Sequence, residues 1–166
     1  MHRDDYVVRA ATKGDWRQLR DLRLESLLDT PEAFGTTYEE SLERSTAQWK
    51  QMAKNLNYFV AERNTEFAGM ASGGLNDRFP DTAWLYGMYV TPDARGTTMA
   101  AALVRRVARW ALEAGYVELY LDVGVGVKRA RAFYEREGFV DTGERRSLTR
   151  DASLQLITMR RALQRG

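Results

Sequence analysis

Between Val90 and Leu103 the chain reads Val-Thr-Pro-Asp-Ala-Arg-Gly-Thr-Thr-Met-Ala-Ala-Ala-Leu, a strand pattern that passes through a short loop straight into a helical one. Backbone N–H groups at such a helix start have no intrahelical partner and lie at the positive end of the helix dipole, so they suit phosphate or pyrophosphate. Arg95 in the loop adds a charge-assisted donor. A plain strand-to-helix connection competes with that reading. The other chemistry open to the chain is narrowed by what it lacks. With no cysteine, disulfides, thiolate catalysis and cysteine-ligated metals are excluded together. The single histidine, His2, sits at the start of the chain, which argues against a Ser-His-Asp triad, a histidine metal site or a histidine base. Acid–base work falls to carboxylates, tyrosines, lysines or water.

The elements that must hold this segment fit a chain of 166 residues, 44% hydrophobic and 29% charged, for which one domain over residues 1–166, of α/β or α+β class, is expected. Tyr6–Ala10 has a short strand pattern, and Thr12 with Asp15 makes a capping-box-like helix start. Leu19, Leu22, Leu24, Leu27 and Leu28 give a helix that closes before Thr30-Pro31. Ser45 with Gln48 opens a second helix, to about Asn55. Strand-like runs at Tyr58–Arg63, Phe67–Ser72 and Ala83–Val90 form an antiparallel meander, with a breaker at Asn76-Asp77-Arg78-Phe79-Pro80. Met99, Leu103, Val107, Trp110 and Ala111 share one helical face up to Gly115. A strand over Val117–Val123, a glycine turn, a helix over Lys128–Glu137 and strands at Phe139–Thr142 and Ser153–Met159 complete the order β-α-α-β-β-β-α-β-α-β-β. A mixed, mostly antiparallel sheet of about seven strands with helices on both faces buries such a string.

Lys and Arg number 25 against 23 Asp and Glu, a formal +2, too even to mark a nucleic-acid binder. The distribution is uneven: from Asp29 to Glu43 the charges are acidic, and from Arg95 onward arginine dominates. One region is suited to a cation and the other to an anion, with solvated helix faces as the plainer alternative. No apolar run approaches a membrane span of ~20 residues, and residues 1–20 lack a signal-peptide stretch, so a cytoplasmic protein is expected.

In these segments the sequence resembles the GNAT superfamily of acyl-CoA-dependent N-acetyltransferases. The resemblance rests on Val90-x-Pro92-x-x-Arg95-Gly96, the helix through Leu103, Leu121-Asp122-Val123, and Ala130-x-x-Phe133-Tyr134-Glu135-Arg136-x-Gly138-Phe139. Asp15-Trp16, Pro31-Glu32-Ala33-Phe34-Gly35 and Met159-Arg160-Arg161-Ala162-Leu163 resemble a bacterial branch, so the likeness covers nearly the whole chain. It implies the family's fold and acetyl-CoA as cosubstrate, held by Met88, Tyr89, Val90, Arg95, Gly96, Thr97, Thr98, Met99, Ala100, Val127 and Ala130. It also implies a small-molecule or peptide amine as acceptor, neither membrane nor nucleic acid as partner, and a homodimer as one assembly open to it. Tyr134 matches the family's general acid. Its neighbour Phe133 lies ~100° around the helix, so the two are not expected to share a core. Asp122 matches the acid that some members use, through water, to accept the amine proton; a salt-bridged aspartate is the alternative. The acidic segment, with Glu32, Phe34 and Tyr38 and with Trp49 beyond it, takes the place of the acceptor pocket.

Three departures stand out. Thr98 replaces the middle glycine of the family's Arg-Gly-x-Gly-x-Gly/Ala, Val127 stands where asparagine is common, and Gly124-Val125-Gly126 is an unusually apolar linker. Together they are expected to weaken CoA binding by roughly 10- to 100-fold, at ~1.4 kcal/mol per factor of ten. A CoA-binding or interaction module without turnover, favoured by Thr98 and Val127, and a basic nucleic-acid-associated domain using the arginines of the helices at 98–114 and 128–137 stand as alternatives to an acetyltransferase.

Overall fold

The computed structural model describes residues 5–55, 57–77 and 79–164, so His2 lies outside the described residues. The strands are β1 (Val7–Ala10), β2 (Asn57–Arg63), β3 (Glu66–Asn76), β4 (Phe79–Val90), β5 (Glu118–Gly124), β6 (Val140–Leu148) and β7 (Asp151–Ala162). The helices are α1 (Trp16–Asp29), α2 (Tyr38–Leu42), α3 (Thr46–Asn55), α4 (Met99–Glu113) and α5 (Lys128–Arg136). One seven-stranded sheet runs in the order β1-β2-β3-β4-β5-β7-β6. Every neighbouring pair is antiparallel except β4 and β5, which are parallel and joined through α4. The mixed α/β fold with a mostly antiparallel sheet is the one expected.

Strand alternation sorts the core into two clusters. Along β2, Phe59 and Ala61 enter one cluster while Tyr58 and Val60 enter the other, because successive side chains leave opposite faces. The first is covered by α4, whose Met99, Leu103, Val107 and Ala111 are fully buried. The second is covered by α1 and α3 through Leu19, Leu22, Leu27 and Ala53. Each buried leucine contributes about 1.5–3 kcal/mol, so helices with one apolar stripe settle on both faces. No helix among the described residues is long and apolar enough to cross a membrane.

Three local features depart from the sequence reading. The strands run into the segment read as a breaker, where Asn76 pairs with Phe79; Arg78 lies outside the described residues. Phe79 stacks on Trp84 at 5.5 Å and Trp84 on Tyr120 at 5.4 Å, which carries the strands further than their hydrophobic pattern suggests. The second is the five-residue α2, opened by Thr37 and Glu40. The Glu40 N–H donates to Thr37 Oγ1 (3.2 Å) and the Thr37 N–H to Glu40 Oε2 (3.3 Å), a capping box like that of Ser45 and Gln48 but with too short a helix behind it to show a periodicity. The third is the closing hairpin, where β6 and β7 are both longer than expected.

Asp15 ties the first elements together. It accepts from the Thr12 N–H at 2.7 Å and from Arg9 at 2.8 and 3.0 Å, while Arg9 Nε reaches Glu62 on β2 at 3.0 Å. The Arg9 bonds hold the Asp15 carboxyl at about 2, down from 3.8. A carboxylate with a depressed folded-state value stabilises fully above its unfolded value and loses that contribution as the pH falls through the folded one. Asp15→Asn should therefore cost about 1 kcal/mol at neutral pH in denaturant titrations. The gap should close between about pH 4 and pH 2; a gap unchanged at pH 2 would assign it to something other than the carboxylate's charge.

Candidate active site

The parallel pair β4 and β5 is in register only at Ala83↔Leu119 and Trp84↔Tyr120. Beyond that point β4 carries a bulge, since Gly87 and Met88 together face Ala71 of β3 between the Ser72↔Tyr86 and Met70↔Tyr89 pairs. Gly87 has φ +58°, a conformation open to glycine at little cost. The bulge turns β4 away from β5, and the gap becomes a cavity of about 330 Å³. Its walls come from Leu85–Met88, Leu121–Gly124, the start of α5, the Ala33–Gly35 loop, Arg23 and Arg146.

Tyr134 reaches this cavity from α5 and is 8% exposed. Among the described residues no partner hydrogen-bonds its hydroxyl, and burial alone pushes the phenol well above its ordinary value. Phe139 packs edge-on against the ring at 5.7 Å. Phe133 packs against the same cluster, its ring 5.2 Å from that of Tyr134, so the expectation that the two residues face different surroundings is corrected. A cluster that wraps the end of a short helix can receive side chains ~100° apart.

Asp122 lies on β5 at the cavity wall with both carboxylate oxygens occupied. Arg146 of β6 donates to Oδ2 through Nε at 2.9 Å and through Nη2, and the Thr158 hydroxyl of β7 donates to Oδ1 at 2.6 Å. This is the salt-bridged arrangement that stood as the alternative to a free base. Sequence reasoning passed over Arg146, which only the β6–β7 hairpin brings across the sheet.

At the start of α4, Gly96 has φ +76° and open space where a side chain would stand. The neighbouring side chains turn inward or aside. Met99 is fully buried, the Thr97 hydroxyl donates to the Ala94 carbonyl at 2.6 Å, and the Thr98 hydroxyl shares a 2.7 Å hydrogen bond with Tyr6 of the N-terminal segment. Ala100 is half-buried against the α4 core. The guanidinium of Arg95, expected from the sequence as a phosphate donor, pairs with Asp29 at the end of α1 and lies over the Tyr89 ring. Tyr89 itself donates to Glu25 at 2.9 Å and Val90 is in the core, so both offer the groove only backbone.

The sequence model of the acetyltransferase (GNAT) family matches residues 16–139. The chain belongs to that family. It is 34% identical over 91 residues to N-acetyltransferase 8 of Homo sapiens, an alignment covering 52% of this chain and 40% of that protein. It is 31% identical over 93 residues to the IAA acetyltransferase of Azospirillum brasilense, covering 54% and 58%. The chain thus spans about half the length of these curated relatives. Among solved structures, yncA of Salmonella typhimurium, determined with acetyl-CoA, superposes with a TM-score of 0.74 at 20% identity over 98% of this chain and 96% of that one.

Within this GNAT fold the acidic segment does not present its carboxylates to the cavity. Phe34 lines it, whereas Glu32 borders a separate depression beside Gly124–Val127. Tyr38 packs against the α1 cluster, Trp49 is buried on α3, Asp29 pairs with Arg95, and Glu40 caps α2. Val127 and Ala130, expected from the sequence to contact the cofactor, line the cavity, with no side-chain cap from Val127 to α5. Of the arginines of α4 and α5, Arg105 pairs with Glu137, Arg109 with Glu113 and Arg131 with Glu135 and Asp141, while Arg106 lies over the Phe59 ring. Two residues that sequence reasoning missed complete the wall. Gly87 gave no signal in a strand otherwise apolar. Arg23 did: it stands four residues from both Leu19 and Leu27, on the stripe that α1 buries.

Gly87→Ala should cost about 1–2 kcal/mol, since an added Cβ would adopt a left-handed conformation 3.4 Å from Arg23 Nη1. Denaturant melts measure it, and a loss below about 0.3 kcal/mol would show that the bulge relaxes freely.

Proposed function

We propose that this chain transfers the acetyl group of acetyl-CoA to a primary amine by direct attack in a ternary complex. The observation that carries the proposal is the Tyr134 hydroxyl. It is buried, unbonded by any described residue, and placed where β4 and β5 part in a GNAT chain. The residues present fit the cosubstrate. Gly96 leaves the backbone approachable at the start of α4, and the first N–H groups of that 15-residue helix have no intrahelical partners, the Met99 N–H donating to the Thr97 hydroxyl at 3.3 Å. The backbone of Met88–Val90 on the side away from β3 has no strand in register beside it. Gly96 through Ala100 would hold the pyrophosphate, and Met88–Val90, Val127 and Ala130 would flank the arm. Bound acetyl-CoA supplies the acetyl group as a thioester, open to attack by a neutral amine.

Tyr134 keeps its proton. Because burial raises its value above the ordinary ~10, the hydroxyl stays protonated through neutral and mildly alkaline pH and is present to donate a proton to a departing thiolate, the phenolate regaining one from the water that takes up the amine proton. Asp122 takes a positioning role. With Arg146 and Thr158 on its oxygens it fixes Arg146 at the wall, and the amine proton, held with a value near ~10.4, leaves to water.

Thiol release from acetyl-CoA across a library of amines tests the proposal, and no turnover by any amine together with no acetyl-CoA binding at millimolar concentration would overturn it. Tyr134→Phe should lower kcat by ~10²–10⁴ with acetyl-CoA affinity nearly intact, and the wild type should show no alkaline decline below about pH 10. Asp122→Asn should lower activity by a factor independent of pH. A deficit that shrinks as the pH approaches 10 would make Asp122 the base after all.

A further inference from the structure

Arg23 carries a charge that the fold leaves unanswered. It projects from the buried stripe of α1 to the wall of the 330 Å³ cavity that Tyr134 also lines. Its Nε is buried with no hydrogen-bond partner, and its one hydrogen bond among the described residues is a long one, from Nη2 to the Thr36 hydroxyl at 3.4 Å. No ion pair with a described carboxylate is formed. Burial holds the guanidinium below its ordinary value, an effect that Tyr58 opposes and the like charge of Arg44 adds to. The group is nonetheless held in place: its central carbon lies 4.4 Å from the centre of the Phe34 ring, and Nη1 sits beside Gly87 at the bulge. An arginine on the inward face of a helix, stacked and oriented yet unpaired, is an arrangement that structures retain where a ligand brings the missing anion. The rest of the wall agrees. Asp122 is its single described carboxylate and is neutralised by Arg146, so the cavity carries the net positive charge of Arg23.

We propose that the acceptor is a small amine that also bears a carboxylate, and that Arg23 receives this carboxylate through its planar fork while the amine faces the reaction centre. The inference rests on the acetyl-transfer reading above and names the acceptor class for the same cavity. Once its amine is deprotonated for attack, such a molecule has one negative charge left, which matches the single unpaired cation of the wall. A polyamine or other purely cationic acceptor would instead meet an uncompensated guanidinium.

The test pairs free amino acids and ω-amino acids with their carboxamides as acceptors, following thiol release from acetyl-CoA with the full chain. The free acids should be preferred even though their amines are the more strongly protonated. Arg23→Gln should raise the acid's KM by about 30-fold or more and abolish the preference over the amide, with the Kd for acetyl-CoA held within about twofold. Arg23→Lys, which keeps the charge and loses the fork, should fall between, and it stands in if the glutamine variant does not fold by circular dichroism. A wild type that turns over amides as well as acids would overturn the proposal, as would an Arg23→Gln variant that keeps the preference or loses acetyl-CoA affinity in parallel. If no pair is turned over, calorimetry with N-acetyl-L-alanine and its amide in the presence of CoA decides: tighter binding of the acid that Arg23→Gln removes supports the carboxylate site, and equal binding overturns it. Loss of acetyl-CoA binding itself would instead strike the acetyl-transfer reading.

Discussion

Two parallel strands share hydrogen bonds only as long as their backbones stay level, and in this fold β4 and β5 stay level for two residue pairs. Past Trp84 and Tyr120 the extra residue of the Gly87–Met88 bulge turns β4 aside, which leaves backbone groups unsatisfied by any strand and a gap that neither sheet face can fill. Everything of chemical interest is arranged about that gap. α4 makes the crossover that the parallel pair requires, α5 brings Tyr134 to the cavity wall, and the Ala33–Gly35 loop lines it as well. A sheet paired along its full length would have had no cavity to line.

The polar groups around the gap fall into two kinds. Asp122, Arg146 and Thr158 satisfy one another across three strands, and a buried carboxylate and guanidinium joined in this way cost little beyond their desolvation. Arg95 is likewise answered by Asp29 and the Tyr89 ring. Tyr134 and Arg23 are different, since the hydroxyl of one and the Nε of the other have no partner among the described residues although both side chains are largely taken from water. Folding alone gains nothing from leaving a donor in that condition, so these two side chains are the ones that a bound molecule would complete.

Much of the fold was legible in the chain itself. Alternation in 58–63 and 117–123, the helical stripe from Met99 to Ala111, and the capping signals at Thr12 and Ser45 each depend on a few neighbouring residues and on backbone geometry that any chain shares. For the same reason the strand–loop–helix at Val90–Met99 could be singled out before any tertiary contact was known, whereas Tyr134 stood out only through the resemblance to the GNAT superfamily. The short α2 was missed although Thr37 and Glu40 carry the same signal, because five residues leave no periodicity to support it.

The partners of the charges were decided only by tertiary structure. Arg95 lies in the loop that was read as binding phosphate, and its side chain pairs with Asp29, 66 residues earlier. Asp122 is met by Arg146, 24 residues later, through a hairpin whose register no local pattern specifies. Arg23 is marked by the sequence only as a charge on an apolar stripe, and what it meets there, the bulge at Gly87 and the ring of Phe34, is set by the fold. Secondary structure follows from torsions and side-chain period within a turn or two of chain. The fate of a charge follows from which distant element arrives opposite it, and that is settled when the two faces of the sheet are covered.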